Sequence, residues 1–350
     1  MYSVKIKTAS YKYIKIDLNA FDINKLNRLS MKRAGILNTS IATENTGDHI
    51  IMDGAIKQLN TVLNSYQVIQ FTSHERLSSQ SYKLQKLVDF NIACGTNLLH
   101  SHMGLIKQWN VGFFDAFKIK PVVLFGVGWR SQKKRKTDFY TKWLLRKLLS
   151  HEHLHSVRDS YSEQKLIDAG FDNVINTGCP TIWSLDKDHC RSIPNKRAEN
   201  ALVVLTDYSR DYELDREILE HVLNEYKKVF FWCQGTNDQE YLNSFDLSGR
   251  IEVIPSSLNA YNQLLSDENL SLDYVGTRLH GGIRALQHKR RAIIVGVDHR
   301  AIQKGIDFNL PVIDRYEPMD SIRTMISEPF ETDIKLPEEN IARWKEQFLP

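Results

Sequence analysis

Short apolar runs alternate with amphipathic stretches along almost the whole chain. The runs that read as strands are 34–39, 66–71, 88–95, 121–128, 153–157 and 173–178. Helical periodicity fills 48–64, 79–86, 137–150 and 160–169 between them. The alternation then restarts, with strand candidates at 200–207, 228–235, 250–256, 272–277 and 291–297. Helix candidates at 212–227, 237–245, 258–266, 279–287 and 300–308 separate these. Strands alternating with helices predict βαβ units and parallel sheets. The polar, charged segment 186–200, with Pro194, interrupts the pattern and reads as a linker.

The expected fold class is therefore α/β, with two Rossmann-like domains of mostly parallel sheet facing a central cleft. Residues 1–190 would form the first domain, 200–330 the second, and 336–350 a terminal amphipathic helix packing back on the first. A length of 350 residues suits two domains of ordinary size. A hydrophobic share of 42% and a charged share of 25% are those of a globular chain. The net charge of +4 is too small to argue for nucleic acid. Four cysteines without a CxxC pair suggest a reducing compartment rather than a disulfide framework. No secretory signal or run of 18 apolar residues stands out, so the expected location is cytoplasmic, with at most a peripheral contact at the inner face of the membrane. The oligomeric state stays open.

Open parallel sheets bind ligands beyond the carboxyl ends of their strands. Polar residues just after a strand are therefore the candidates. GTRLHGGIRAL (276–286) leaves an apolar strand, sets Arg278 two positions before His280, and starts a Gly-rich helix. A helix start offers free N–H groups and the positive end of the dipole. Arg278 adds a planar fork for carboxylate or phosphate. His280 can exchange a proton near neutral pH, and Gly281 and Gly282 keep side chains out of the way. Either residue alone could be an interior residue with its partners satisfied; together at this place they suggest an anion site.

Asn45, Gly47 and Asp48 open a helix at the mouth of the first sheet, where Asp48 serves equally as a helix cap or as a group orienting sugar hydroxyls. Asp298, His299, Arg300 and Lys304 follow the next strand and would flank Arg278 if the two strands are neighbours. Arg158 and Asp159 stand where another strand meets a helix. HEHLH (151–155) matches the HExxH zinc pattern, but a helix ends and a strand begins there, so no metal is expected. The basic run WRSQKKRK (129–136) is a solvated loop or a contact with anionic lipid. GxGxxG, GxSxG and Walker A motifs are lacking.

Taken in order, NTGD, CGTN, LFGVG, SVRDSYSEQKLIDAGF and above all TRLHGGIRAL make the chain, from about residue 34 to 315, resemble the polysaccharide pyruvyl transferase family. The resemblance implies two Rossmann-like domains similar to a large glycosyltransferase class. It implies transfer of a pyruvyl unit from phosphoenolpyruvate to two hydroxyls of a sugar, giving a cyclic ketal and phosphate. The acceptor would be a surface-polysaccharide precursor, lipid-linked or nucleotide-linked, and no cofactor is called for. In that chemistry Arg278, with Gly281, Arg300, Lys304, Asp298, Arg158 and Asn45, would bind substrate. His280 would deliver the proton and Asp48 would orient or deprotonate the attacking hydroxyl. Where the family often carries a lysine after the strand following RLH, this turn reads VDHRAIQKG, so Arg300 or Lys304 would stand in. A nucleotide-sugar glycosyltransferase and a non-catalytic binder of glycan precursors are the competing readings.

Overall fold

The computed structural model describes residues 3–7, 13–17, 31–130, 136–247 and 249–349. A short antiparallel hairpin, β1 (Ser3–Lys7) and β2 (Tyr13–Asp17), precedes two parallel sheets. The first sheet holds β3 (Arg33–Asn38), β4 (Gln67–Thr72), β5 (Phe90–Cys94) and β6 (Val122–Phe125) in the order β4-β3-β5-β6. Val127 bridges Val157, which carries the pairing on to β7 (His155–Val157) and β8 (Val174–Asn176). Helices α1 (Thr46–Val62), α2 (Ser79–Gln85), α3 (Phe139–Leu148) and α4 (Ser160–Ala169) make the crossovers.

The second sheet has six strands: β9 (Asn200–Val204), β10 (Lys228–Trp232), β11 (Glu252–Ile254), β12 (Leu272–Gly276), β13 (Ala292–Gly296) and β14 (Val312–Asp314). Their order is β11-β10-β9-β12-β13-β14, all parallel. This is the doubly wound order whose strand sequence reverses between β9 and β12. The strand candidates at 272–277 and 291–297 are thus neighbours, with Tyr274 opposite Ala292. β5, β9, β12 and β13 are buried along their whole length, as strands covered by helices on both faces must be.

The segment expected as a bare linker contains a short helix, α5 (Lys187–Arg191), capped by Asp186 and holding Cys190 in the core. The second sheet is flanked by α6 (Tyr212–Glu225), α7 (Asp238–Asn243), α8 (Leu258–Ser266), α9 (Leu279–Gln287), α10 (His299–Phe308) and α11 (Met319–Ser327). The last helix, α12 (Glu338–Glu346), returns to the first sheet, where Trp344 stacks on Phe125 at 4.3 Å between ring centroids and Phe348 stacks on Phe90 at 5.7 Å. Among the described residues no helix is long and apolar enough to cross a membrane.

Candidate functional site

The turns after β9 and β12 meet where the second sheet reverses its strand order. Arg278 is the N-cap of α9, with an extended backbone and no side-chain cap bond, so the N–H groups of the first turn are left without a capping side chain. The neighbouring helices at the cleft are capped: α1 by Asn45, α4 by Asp159 and α10 by Asp298. Gly281 and Gly282 let α9 lie close on its own sheet. A Cβ at Gly282 would fall 2.4 Å from Ile294, and one at Gly281 would meet Tyr274 Oη at 3.1 Å and Gln234 Oε1 at 3.3 Å. Helix packing therefore requires Gly282, rather than ligand access as the sequence suggested.

Arg278 is not the open fork expected. Its side chain is 4% exposed, and Nη2 donates to Asp207 (2.7 Å) and Asp238 (2.5 Å) while Nε donates to the Leu205 carbonyl. The Tyr208 ring lies 5.0 Å from its guanidinium. Burial opposes the charge, but Asp238, Tyr208 and Asp207 outweigh it and hold the group above the ordinary arginine range. Arg278 still lines the cavity at the switch point. Two carboxylates neutralise it, so it positions the turn more than it supplies free charge.

The unpaired charge is elsewhere. Lys304, one turn into α10, is 0% exposed, and Nζ donates to the Arg158 carbonyl at 3.3 Å. Among the described residues no carboxylate forms an ion pair with it. Burial pushes its pKa down. Arg158, also buried, pairs with Asp159 at 3.1 Å and donates to Asn97 Oδ1. His280 is half-buried, with Nε2 3.9 Å from Cys179 Sγ. Burial, followed by the charges of Lys304, Arg300 and Arg158, holds its pKa well below the usual imidazole value. Burial first, and then the surrounding cations, thus oppose the proton that the sequence led us to expect on His280 near neutral pH.

Arg300 pairs with Asp298, which is held at about 2 despite its burial. It also donates to Tyr208 Oη, which ties the turns after β9 and β13 together. From the first sheet, Asn45 caps α1, and its Oδ1 also accepts from Gln234 Nε2 at 3.1 Å. Asp48 is therefore not the cap. It sits at the third position of the helix, is 7% exposed and accepts from Thr43 Oγ1 at 2.8 Å. Burial raises its pKa against the pull of Thr43, His74 and Arg300, and Thr96 also bonds its side chain. Thr96 has φ +48, beside Gly95 at +56. A β-branched residue in the left-handed region stores about 1–3 kcal/mol and marks a place where geometry is imposed.

Between the sheets, Asn45, Gln234, Arg278, His280, Asp298 and Arg300 enclose a cavity of about 20 Å³, enough for roughly one water. Gln234 Oε1 is buried there without a hydrogen-bond partner. Through Gln234 the cavity adjoins a recess of about 590 Å³ lined by Glu44, Thr46, Thr236, Gln239 and Pro255. The structure thus brings Arg278, His280, Asp298 and Arg300 to one cavity with Asn45 from the first sheet, sets Lys304 and Arg158 near enough to act on the His280 charge, and leaves Gly281 outside the lining and Asp48 in the first turn of α1.

Sequence reasoning missed Asp207, Asp238, Tyr208, Gln234 and Cys179. Each lies after a strand or a glycine turn, but none belongs to a recognisable spacing. In the HEHLH stretch His151 bonds the Arg146 carbonyl and His153 the Ser150 hydroxyl. His155 accepts from Leu124 N and donates to Ser150 O, and no group of possible ligands gathers there among the described residues. Most of the basic run 129–136, residues 131–135, lies outside the described residues.

The polysaccharide pyruvyl transferase family model matches residues 45–299, well over half of the sequence. The chain belongs to this family. Membership makes it a transferase of polysaccharide biosynthesis. Among solved structures, a UDP-GlcNAc 2-epimerase from Methanocaldococcus jannaschii, crystallised with UDP-GlcNAc and UDP, superposes with a TM-score of 0.51 at 11% identity, covering 91% of this chain and 98% of that one. The S. aureus MnaA–UDP co-structure gives 0.48 at 12% identity over 89% and 95% of the two chains. MurG from Acinetobacter baumannii gives 0.38 at 9% identity over 90% and 99%. At 11% identity the likeness to the M. jannaschii epimerase concerns the fold alone. No sequence among the curated proteins matches the chain.

Proposed function

We propose that this pyruvyl transferase family member moves the pyruvyl unit of phosphoenolpyruvate onto two hydroxyls of a glycan-precursor sugar. The observation that carries the reading is Lys304, a wholly buried ammonium that forms no ion pair among the described residues, beside His280 and the uncapped start of α9. Phosphoenolpyruvate has the charge to satisfy all three. Its phosphate or carboxylate takes the free N–H groups of α9 and the Lys304 charge, while Arg300 faces the same cavity.

An anion arriving there offsets part of the electrostatics at His280, whose pKa is low through burial first and then through the charges of Lys304, Arg300 and Arg158. Donor binding thus raises the imidazole towards protonation, and the proton is then available for the methylene carbon. One sugar oxygen bonds to the enol carbon as that carbon's neighbour takes the proton. The second sugar oxygen then displaces phosphate, its proton leaving with the phosphate or with a base. Asp48, whose pKa burial raises, suits the role of base or orienting group for a hydroxyl. Gln234 Oε1 is an unsatisfied acceptor for another hydroxyl, and the 590 Å³ recess beyond it accommodates the rest of a lipid- or nucleotide-linked acceptor.

A cavity of about 20 Å³ does not hold the donor, so the two sheets separate to admit it and close again, excluding water. The contacts that part are Thr46 N to Gln234 O, Gln234 to Asn45, and Thr236 to Glu44.

The test supplies phosphoenolpyruvate with nucleotide- and lipid-linked sugars, then measures phosphate release and acceptor mass. The reading expects one phosphate per acceptor and a gain of one pyruvate less one water. Turnover of a nucleotide sugar without phosphate release would make the protein a glycosyltransferase on the same fold. Binding without turnover would make it a glycan-precursor-binding protein.

A further inference from the structure

A second surface, on the first sheet's side, is built for something other than the donor. The segment between β5 and β6, together with the start of α3, leaves large apolar side chains in water. Leu105 and Phe139 are each 86% exposed, Phe114 74%, Phe117 63% and Phe113 51%. These are not scattered singly. Phe113 packs edge-on to Phe114 and Phe117 and stacks on Trp143 at 5.1 Å, and Tyr140 lies 5.9 Å from the same indole. Leu105, Phe113, Phe114 and Tyr140 share the wall of a cavity of about 870 Å³. A contiguous exposed apolar patch of this kind marks an interaction site.

The charge around the patch selects the partner. Arg76, Lys107 and Lys118 line the same cavity, and Arg130 and Lys136 are exposed. Between residues 105 and 142 the sequence has nine Lys or Arg against two Asp, a net of +7 in a chain whose total is +4. Both acids are engaged internally. Asp115 accepts from Tyr82 and from the Gly112 N–H, and Asp138 pairs with His102. A cluster of exposed aromatic side chains with Arg76, Lys107 and Lys118 beside it matches a lipid surface with anionic head groups. The rings enter the head-group layer and the cations meet phosphate. A second copy of this chain would bring the same cations face to face, which opposes self-association through the patch.

We infer that the surface formed by Leu105, Phe113, Phe114, Phe117 and Phe139 docks the protein peripherally on an anionic phospholipid membrane. The contact proposed from the sequence was the basic run 129–136. Here the apolar element comes from residues 105–117 and 139, and the cations serve it.

Sedimentation with vesicles tests this without donor or acceptor, so the outcome stands apart from the transferase reading. Wild-type protein is expected to pellet with phosphatidylcholine–phosphatidylglycerol vesicles, less so in high salt, and weakly with phosphatidylcholine alone. Phe114→Asp with Phe139→Asp is expected to weaken binding more than tenfold. Lys107→Glu with Lys118→Glu should weaken it by roughly fivefold or more per residue and reduce the salt dependence. All four positions are exposed, so unchanged thermal unfolding will show that the variants fold. Wild-type protein that stays in the supernatant, or a Phe114/Phe139 variant that pellets as well as wild type, overturns the proposal. A dimer in sedimentation velocity that these substitutions convert to monomer overturns it in favour of self-association.

Discussion

Lys304→Met separates a binding lysine from a structural one. The ammonium is wholly buried and its bond to the Arg158 carbonyl is long, 3.3 Å. Keeping such a group from water costs several kcal/mol, and one charge-assisted hydrogen bond returns about 1.5–3 kcal/mol. Burial displaces its pKa downwards, the direction expected where desolvation outweighs the attraction available to the ammonium. Methionine has a similar length and leaves no polar atom to satisfy. The variant should therefore be more stable than wild type by roughly 2 kcal/mol, which raises Tm by about 4–8 °C for a domain of this size. The same change removes the unpaired cation from the donor site and should weaken phosphoenolpyruvate binding by about 2–5 kcal/mol, roughly thirty-fold or more. Thermal unfolding by calorimetry and binding by isothermal titration read the two effects on the same samples. A variant that is less stable than wild type yet binds the donor as tightly would refute the reasoning, because Lys304 would then be part of the scaffold.

Arg278→Ala leaves Asp207 and Asp238 facing each other without their cation, so it should destabilise the protein by about 3–5 kcal/mol in denaturant titration. Loss of donor binding in this variant is therefore to be read beside its stability, and Asp238→Asn should recover part of the loss. Trp344→Ala removes the residue that stacks α12 on Phe125 and should cost about 3–5 kcal/mol, with no effect on donor affinity in the folded fraction. Stability should also depend on His155, which is fully buried with its pKa lowered to about 4 from 6.5. The unfolded chain takes up the proton first, so the contribution is whole above pH 6.5. It is lost as pH falls to about 4, at a total of about 3 kcal/mol. A His155→Gln variant should lack this part of the pH dependence when ΔG is followed from pH 7 to pH 4.

Much of the fold was legible because its strands are buried on both faces and read as uninterrupted apolar runs. β9, β12 and β13 are such strands. β14 was not legible: its three residues are all half-buried and carry no run long enough to see. α5 hid inside a polar segment because only Cys190 of its five residues is buried. At the site, the place of Arg278 and His280 could be read from a strand-to-helix turn. Their state could not. The carboxylates that hold Arg278 lie 40 and 71 residues earlier, after different strands, and only the sheet order brings them together. The low proton affinity of His280 comes from burial and then from Lys304, Arg300 and Arg158, an environment that only the tertiary fold assembles. The reason for Gly282 was likewise invisible, since the atom it makes room for is on Ile294.

Nitrogen-15 or carbon-13 NMR of the His280 ring, titrated with and without phosphoenolpyruvate, tests the anion site directly, with His280→Asn providing the assignment. The account expects a midpoint well below 6.5 in the free protein and an upward shift when the donor saturates the site, reduced in Lys304→Met. A midpoint near 6.5 in the free protein, or one that does not move when the donor binds, would contradict it.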